Sequence, residues 1–337
     1  MAQAHTGLDP SGGAARGFKD IANDPRFTAL VAQVRKENSP IVRSTTAFII
    51  HEPDLAPEGI AYDPVDHSFY VSSISKHKIV RVTPDGSAKD FKSSQQDGLG
   101  ATLGMKVDAK RRFLWVTSDL FDGDPTESRC ALYQYDLQTG ALRFKHACAI
   151  GAEGFLNDVA LNSRGEAFTT NTGTREVFRA YPDRDGLEPF LPRDAVGQAN
   201  GVAISSDDKT LFVAGWIGVA RVDIATKNFK LLGKPTNISD AGLDGMYFYN
   251  GSLVGVQNPD LHPSRVVRYF LNPQFDAITR AEVLETYNPL FDVPTTGTLV
   301  DDSLVFMGNT QIDKMQPHDN MPRPSELSDI RVLKLKL

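Results

Sequence analysis

The chain lacks the sequence motifs of several enzyme classes and the features that mark nucleic-acid-binding and membrane-spanning proteins. It contains no P-loop, no GxSxG nucleophile elbow and no HExxH motif. No run of about 18 apolar residues is present, so no membrane span is predicted. Lysine and arginine number 36 against 42 aspartates and glutamates, without a basic stripe, which argues against nucleic acid as a partner. The net charge of −6 favours a small neutral or cationic ligand.

Cysteine is also scarce, with Cys130 and Cys148 the only two in 337 residues. Neither lies in a motif typical of nucleophilic catalysis. They are equidistant from Thr139 in a predicted hairpin, which would place them opposite each other on two strands. A disulfide and two reduced buried thiols are both compatible with this spacing. A disulfide would favour an exported protein.

Residues 1–44 differ in pattern from the rest of the chain. Their start is rich in Gly, Ala and Pro and has no apolar signal core, so no targeting peptide is predicted. The sequence does not determine the cellular compartment. A periplasmic or secreted location, after removal of a signal peptide, is one alternative. Apolar residues recur at helical intervals from Phe27 to Val34 after an Asp-Pro pair, which predicts a short amphipathic helix over residues 24–37. We divide the chain into this extension, residues 1–44, and a domain over residues 45–337.

Six segments of the domain share one repeated frame. Each has a small or polar start, a short strand, a turn and a second strand, in a sequence dominated by short β-rich runs. The repeats begin 43 to 54 residues apart, a period typical of one four-stranded propeller blade. The residues aligned at the start of the frame are Gly59, Gly104, Asp158, Gly201, Gly245 and Gly297.

The predicted fold is therefore all-β, a six-bladed β-propeller with an N-terminal extension that contains a short helix. The last repeat ends the chain with IRVLKLKL as its third strand, and an unassigned strand, TAFIIHE, precedes the first repeat. Giving the N-terminal strand to the last blade would satisfy an edge that is otherwise open. We expect the ring to close in this way.

The residue before each aligned position should open the innermost strand of its blade at one rim of the central channel. Round the ring these residues are Glu58, Leu103, Asn157, Asn200, Asp244 and Thr296. Four of them carry a carboxylate or amide oxygen, and converging inner strands would bring these oxygens together. Such oxygens suit a divalent metal, with Ca²⁺ as the first expectation. Taken singly, Asn-Gly and Asp-Gly are also common turns, but the shared register favours a metal site.

At these positions the chain resembles the SMP-30/gluconolactonase/LRE-like family of six-bladed propellers, related to paraoxonase and diisopropyl fluorophosphatase. The resemblance covers residues 45–337 and rests on PEG, LND, ANG and LDG, which contain Glu58, Asn157, Asn200 and Asp244. It implies that these four residues hold a metal, commonly calcium, in the central channel. It also implies hydrolysis of a lactone or related ester. The alternative is a non-hydrolytic propeller, either a strictosidine-synthase-like lyase or a binding scaffold with structural calcium.

The implied reaction needs a general base beside the metal. Asp244 is the first candidate, because the resemblance makes it the metal-bound aspartate. Asp158, which follows Asn157 directly, is the second candidate. Asp158 could instead cap the backbone at the start of its own strand.

Loops that leave the second strands should form the wall of a substrate pocket at the same rim. The candidate pocket residues are His77, Asn171, Trp216, Gln257, His262 and Asn309. Trp216 and Phe121 would supply an apolar wall, and either histidine a second acid-base group, although a lone loop histidine is often only solvated. The three amides would bind substrate hydroxyls or satisfy loop backbone groups. These loops do not specify which small molecule is bound.

Overall fold

The computed structural model describes residues 18–37, 39–121, 123–124, 126–150, 154–258, 263–315 and 326–337. Within these residues the chain forms α1 (Pro25–Glu37), then β1 (Thr45–Ile50), then 23 further strands. The strands make six four-stranded antiparallel sheets. The predicted all-β six-bladed propeller, with a short helix near the N-terminus, is confirmed.

The first three blades are continuous four-stranded meanders, numbered here from the channel outward. Blade 1 contains β2 (Ile60–Asp63), β3 (Ser68–Ser73), β4 (Lys78–Val82) and β5 (Ala88–Lys92). Blade 2 contains β6 (Ala101–Asp108), β7 (Phe113–Asp119), β8 (Cys130–Asp136) and β9 (Leu142–Ala147). Blade 3 contains β10 (Leu156–Leu161), β11 (Ala167–Asn171), β12 (Glu176–Tyr181) and β13 (Arg184–Leu191).

The last three blades follow the same plan until the ring closes. Blade 4 contains β14 (Val202–Ile204), β15 (Thr210–Gly215), β16 (Gly218–Asp223) and β17 (Phe229–Leu231). Blade 5 contains β18 (Leu243–Tyr249), β19 (Ser252–Gln257), β20 (Arg265–Leu271) and β21 (Ile278–Thr286). Blade 6 contains β22 (Gly297–Val300), β23 (Ser303–Met307) and β24 (Ile330–Lys336), with β1 as its outermost strand.

The ring closes through the N-terminal strand, as predicted. β1 pairs antiparallel with β24, so that Thr45 lies opposite Lys334 and Ile50 opposite Ile330. The first strand of the domain thus covers the outer edge of the last blade, which would otherwise expose unpaired backbone groups.

The hydrophobic core is divided among the six junctions between neighbouring blades, with one apolar cluster at each. Between blades 3 and 4, for example, Phe168 and Val177 pack with Leu211 and Val213. Because both faces of a blade are covered by its neighbours, the second strands are largely buried, and all six residues of β15 are buried. The packing therefore fixes the blades around the channel.

Residues 41–44, at the end of the extension, run along blade 5 before the chain enters blade 6. Ile41 and Thr286 exchange two backbone hydrogen bonds of 3.0 Å, and Ser44 Oγ donates to Glu285 Oε1 at 2.6 Å. In α1, the buried Val31 and Val34 form the apolar side expected from the spacing. In the described part of the chain, every helix is too short or too polar to cross a membrane.

Cys130 and Cys148 form a disulfide, with their Cα atoms 5.3 Å apart. Of the two alternatives left open by the spacing, the structure contains the disulfide. Cys130 begins β8, and the N–H of Cys148 donates to its carbonyl oxygen at 2.8 Å. The bridge lies in the apolar cluster between blades 2 and 3, beside Trp115.

Candidate functional site

The residues at the predicted ring position lie where regular strand pairing is interrupted. In blades 2, 3 and 5 the register shifts across the ring position, in blade 3 between Leu156 and Val159. In blades 1, 4 and 6 the ring residue comes just before the inner strand begins. Such irregularities turn side chains out of the alternation of a regular strand. The ring residues are therefore not restricted to the faces between blades.

Neighbouring ring segments are in close backbone contact around the channel. A Cβ placed on Gly59 would overlap the carbonyl oxygen of Leu103 in the next blade, and one on Gly201 would overlap that of Asp244. Across the closure of the ring, Thr296 Oγ1 donates to the carbonyl oxygen of Glu58 at 2.5 Å. Glycine at the aligned position is what allows this approach. The fold thus brings the predicted ligand positions together at one rim.

Three of the four predicted metal ligands carry a buried oxygen that has no hydrogen-bond partner among the described residues: Glu58 Oε2, Asn157 Oδ1 and Asn200 Oδ1. The fourth residue, Asp244, accepts a hydrogen bond at Oδ2 from Asn258 Nδ2 at 2.9 Å. A buried acceptor without a donor costs about 1–3 kcal/mol, so these oxygens need a partner. Carboxylate and amide oxygens are the ligands that Ca²⁺ prefers. The oxygens of these four residues therefore fit a hard divalent cation.

The amide oxygens are essential to this set. In the part of the chain that the structure describes, no three Asp, Glu, His or Cys side chains form a group able to hold a metal. The orientation of Asn157 is fixed, because its Nδ2 donates to Thr172 Oγ1 at 3.1 Å. Thr172 Oγ1 donates in turn to the carbonyl oxygen of Ala199 at 2.6 Å. With the amide nitrogen held in this way, Oδ1 is the atom of Asn157 left for a ligand.

Acidic side chains interact strongly at this rim. Burial, followed by the charges of Asp244, Asp158 and Asp119, holds the pKa of Glu58 well above its usual range. Burial also raises the pKa of Asp119 well above its usual range, although Asp119 Oδ1 accepts the N–H of Leu156 at 3.0 Å. Asp119 was not predicted, since it ends the second strand of a blade whose ring residue is apolar. A bound cation would relieve this repulsion.

Asp158 occupies the aligned position that is glycine in the other blades. Its Oδ1 accepts the N–H of Val159 at 2.8 Å, and its Oδ2 accepts the N–H of Val202 in blade 4 at 3.1 Å. Burial raises the pKa of Asp158 to about 6, opposed by these two hydrogen bonds and by the charge of Lys106. Both oxygens hold backbone groups, as the capping alternative expects. A general-base role for Asp158 stays a prediction.

Lys106 was missed by sequence reasoning. It lies on the inner strand of blade 2, and its Nζ is 5.5 Å from the ring centroid of Tyr247 on the inner strand of blade 5. Since blades 2 and 5 face each other across a six-bladed ring, this side chain spans the channel. Burial lowers the pKa of Lys106, and the charge of Asp158 opposes that shift. The sequence did contain a signal for Lys106, namely a charged residue within a predicted inner strand.

The three amides predicted for the pocket are buried and engaged with loop backbone. Asn171 Oδ1 accepts the N–H of Thr174 at 3.0 Å. Gln257 Nε2 donates to the carbonyl oxygen of Ala241 at 2.5 Å. Asn309 Nδ2 donates to a backbone carbonyl at 3.0 Å, and its Oδ1 accepts a backbone N–H at 2.5 Å. These contacts correspond to the loop-supporting alternative, and substrate binding by these amides stays a prediction.

His77 and Trp216 lie in loops between second and third strands. His77 is half-buried, and burial lowers its pKa. Trp216 is 48% exposed and available as an apolar wall. His262 lies outside the described residues. Phe121 packs against Phe155, two residues before a ring residue, with ring centroids 5.6 Å apart. An apolar wall supplied by Phe121 or Trp216 stays a prediction.

Solved structures similar to this chain are known. A gluconolactonase from Xanthomonas campestris is 15% identical, with 89% of this chain and 95% of that chain covered and a TM-score of 0.57. A luciferin-regenerating enzyme is 15% identical, with 89% and 96% covered and a TM-score of 0.56. Virginiamycin B lyase from Staphylococcus aureus is 11% identical, with 77% and 80% covered and a TM-score of 0.57. No protein-family model and no curated protein sequence matches the chain.

The likeness establishes the fold. Because the similar structures include gluconolactonase and luciferin-regenerating enzyme, the resemblance to the SMP-30/gluconolactonase family is confirmed at the level of the six-bladed propeller. A gluconolactonase and a lyase have the same TM-score against this chain, 0.57. The fold therefore does not choose between hydrolysis and a non-hydrolytic function, and the residues of the site must do so.

Proposed function

We propose that this protein is a metal-dependent hydrolase that opens a lactone or related ester, with Ca²⁺ as its metal. The observation that carries the proposal is the set of buried oxygens without partners on Glu58, Asn157 and Asn200, which belong to three blades. Asp244 occupies the equivalent position in a fourth blade. Likeness in fold to a gluconolactonase supports a lactone as the substrate.

Glu58, Asn157, Asn200 and Asp244 would hold the ion. A divalent ion at this position polarises a substrate carbonyl as a Lewis acid and stabilises the negative charge that develops on its oxygen. The close backbone contacts between ring residues fix the rim, so the reacting group is positioned by rigid inner strands.

Asp244 is the proposed general base. Asn258 Nδ2 donates to Asp244 Oδ2 at 2.9 Å and thereby orients the carboxylate. Asp244 takes a proton from a water molecule as the water oxygen bonds to the carbonyl carbon. The ester C–O bond then breaks, and the proton passes to the leaving alkoxide oxygen, so that a lactone and water give one hydroxy acid. Asp158 is the second candidate, disfavoured because both of its oxygens hold backbone N–H groups.

Turnover of a panel of lactones and aryl esters tests the proposal. We expect activity with calcium, loss of activity in EDTA and recovery when calcium is restored. Zinc and magnesium serve as comparison ions. Full activity in EDTA would contradict metal dependence, and calcium binding without turnover of any lactone or ester would contradict a hydrolase.

The rival is the non-hydrolytic propeller, a lyase or a scaffold with structural calcium. Likeness in fold to virginiamycin B lyase keeps this rival in view. The two reactions differ in their use of water, because hydrolysis adds a water oxygen to the product and elimination does not. In isotopically labelled water, label in the product carboxylate would support hydrolysis, and its absence with continued turnover would support the lyase.

A further inference from the structure

A cavity lies against the outer strands of blade 5, beside the loop that leads into this blade from blade 4. Its volume is about 400 Å³. The third and fourth strands of blade 5 and the loop that enters this blade surround it. Residues that line it include Ile238, Ser239, Arg265, Tyr269, Ala281 and Val283. The cavity combines apolar walls with one deeply buried cation.

Arg265 is the unusual member of this lining. It is only 4% exposed, and its Nε donates to Gln257 Oε1 at 2.5 Å. Among the described residues, no carboxylate lies within salt-bridge distance of it, whereas the partly buried Arg112 pairs with Asp63 at 2.5 Å. Burial lowers the pKa of Arg265, with the nearby Tyr269 phenol opposing the shift. Buried charges are normally paired, so this guanidinium has capacity for an anion.

The chemistry of the cavity restricts the kind of anion. A guanidinium presents planar donors that match a carboxylate in a two-point hydrogen bond. Arg280, the other arginine of the lining, is paired with Glu282, so Arg265 is left to balance one negative charge, which favours a monoanion over a phosphate dianion. The side chains of Ile238, Val267 and Val283 give the cavity an apolar wall that an inorganic ion would not fill.

We propose that this cavity binds a small organic monocarboxylate, whose carboxylate pairs with Arg265 and whose apolar part packs against Ile238 and Val283. The site lies on the third and fourth strands of blade 5, outside the inner strand that carries Asp244. Its occupancy is therefore measured by binding, and the outcome does not depend on catalysis. Arg280, at the exposed mouth, is a secondary contact, because its guanidinium lies 3.5 Å from Glu282 Oε2 and over the Phe270 ring.

Isothermal titration of the full chain with benzoate tests the site, with neutral benzamide and inorganic phosphate as comparison probes. We expect saturable one-to-one binding of benzoate and at least about tenfold weaker binding of benzamide and phosphate, since a charge-assisted hydrogen bond contributes about 1.5–3 kcal/mol. Arg265→Gln should weaken benzoate binding by at least about tenfold on the same basis. Arg280→Gln should change it by less than about threefold, because its charge is exposed and screened.

Two further variants keep the test valid if Arg265→Gln fails to fold. Ala281→Trp fills the cavity from its half-buried wall without touching the cation and should abolish benzoate binding. Arg265→Lys keeps the charge and should retain part of the affinity. Circular dichroism checks that each variant is folded. Absence of benzoate binding to the unaltered chain, or unchanged binding in folded Ala281→Trp, would overturn the proposal.

Discussion

Among the described residues that carry a buried polar atom without a hydrogen-bond partner, two groups differ in chemistry. The channel-mouth set consists of acceptors alone, Glu58 Oε2, Asn157 Oδ1 and Asn200 Oδ1. The blade 2 set mixes a donor with acceptors on neighbouring strands, Trp115 Nε1, Gln134 Oε1 and His146 Nε2. Acceptors alone cannot satisfy one another, and the proposed cation would satisfy the channel-mouth set. The blade 2 set has groups of both kinds and needs no charge.

The origin of the two sets sharpens this difference. The channel-mouth oxygens come from three blades and meet only because the ring closes. The blade 2 set comes from a single sheet, beside the disulfide and against the next blade, where His146 stacks on Trp115 with ring centroids 5.3 Å apart. The first set is therefore the proposed ligand site, to which several blades contribute, and the second is a packed junction. Experiments that change one set should leave the other unaffected.

The largest expected effect is at the channel mouth. Asp244→Asn removes the proposed base with little change in shape and should lower turnover by about 1,000-fold or more. Glu58→Gln removes one buried carboxylate from a repelling cluster. It should therefore raise the melting temperature in EDTA and reduce the further rise on adding calcium. Steady-state kinetics and calcium-dependent thermal unfolding measure these effects.

Trp115→Phe is the matched control, because it alters the blade 2 set alone. Its calcium-dependent shift in melting temperature should equal that of the unaltered chain. If Trp115→Phe and Glu58→Gln reduced the calcium shift equally, the distinction between the two sets would be wrong. Full turnover by Asp244→Asn would remove Asp244 from the mechanism.

The repeat frame that locates the six ring residues was predictable from the sequence, and the reason is steric. The aligned position must accept close backbone approach, so glycines such as Gly59 recur and reveal the frame that locates the ring residues. Lys106 and Asp119 were not predictable in the same way. The register shift between Thr102 and Met105 breaks the alternation by which strand faces are assigned from sequence. Which residues of blade 2 approach the channel therefore depends on a local irregularity.

The next largest effect concerns the blade 2 region. Replacing both Cys130 and Cys148 with serine opens a link across a sequence separation of 18 residues. A loop of this length predicts a loss of about 3 kcal/mol in the free energy of unfolding. Urea denaturation measures the loss. The calcium shift should persist in the double variant, and its disappearance would show that the two regions are coupled.

A smaller effect follows from His146, which is fully buried and whose ring contacts the Gly186 carbonyl oxygen through Nδ1 at 3.1 Å. Burial lowers its pKa, while Asp185 and the Gly186 contact oppose the shift. The folded chain therefore binds fewer protons here than the unfolded chain, so this contribution to stability is complete above the usual histidine pKa, near 6.5, and is lost as pH falls below it.

The expected slope is at most about 1.4 kcal/mol per pH unit for one group. Urea denaturation between pH 5 and 7.5 measures it, and His146→Phe should remove this part of the pH dependence. Equal slopes in the unaltered chain and in His146→Phe would show that the blade 2 set does not respond to protons.

The smallest effect returns to the channel. Lys106 places a positive charge inside the channel, where it interacts with Asp158 beside a proposed metal ligand. Two cations in one channel repel each other, so Lys106→Met should tighten calcium binding, roughly fivefold for charges separated by several ångströms in a partly screened site. Lys145→Met, at an exposed position on the outer strand of the same blade, is the matched control and should not change calcium affinity. Weaker calcium binding in Lys106→Met would mean that Lys106 supports the ring through its contact with Tyr247. The inner strands would then be held in place partly by this side chain, and the site would not be assembled by the backbone contacts alone.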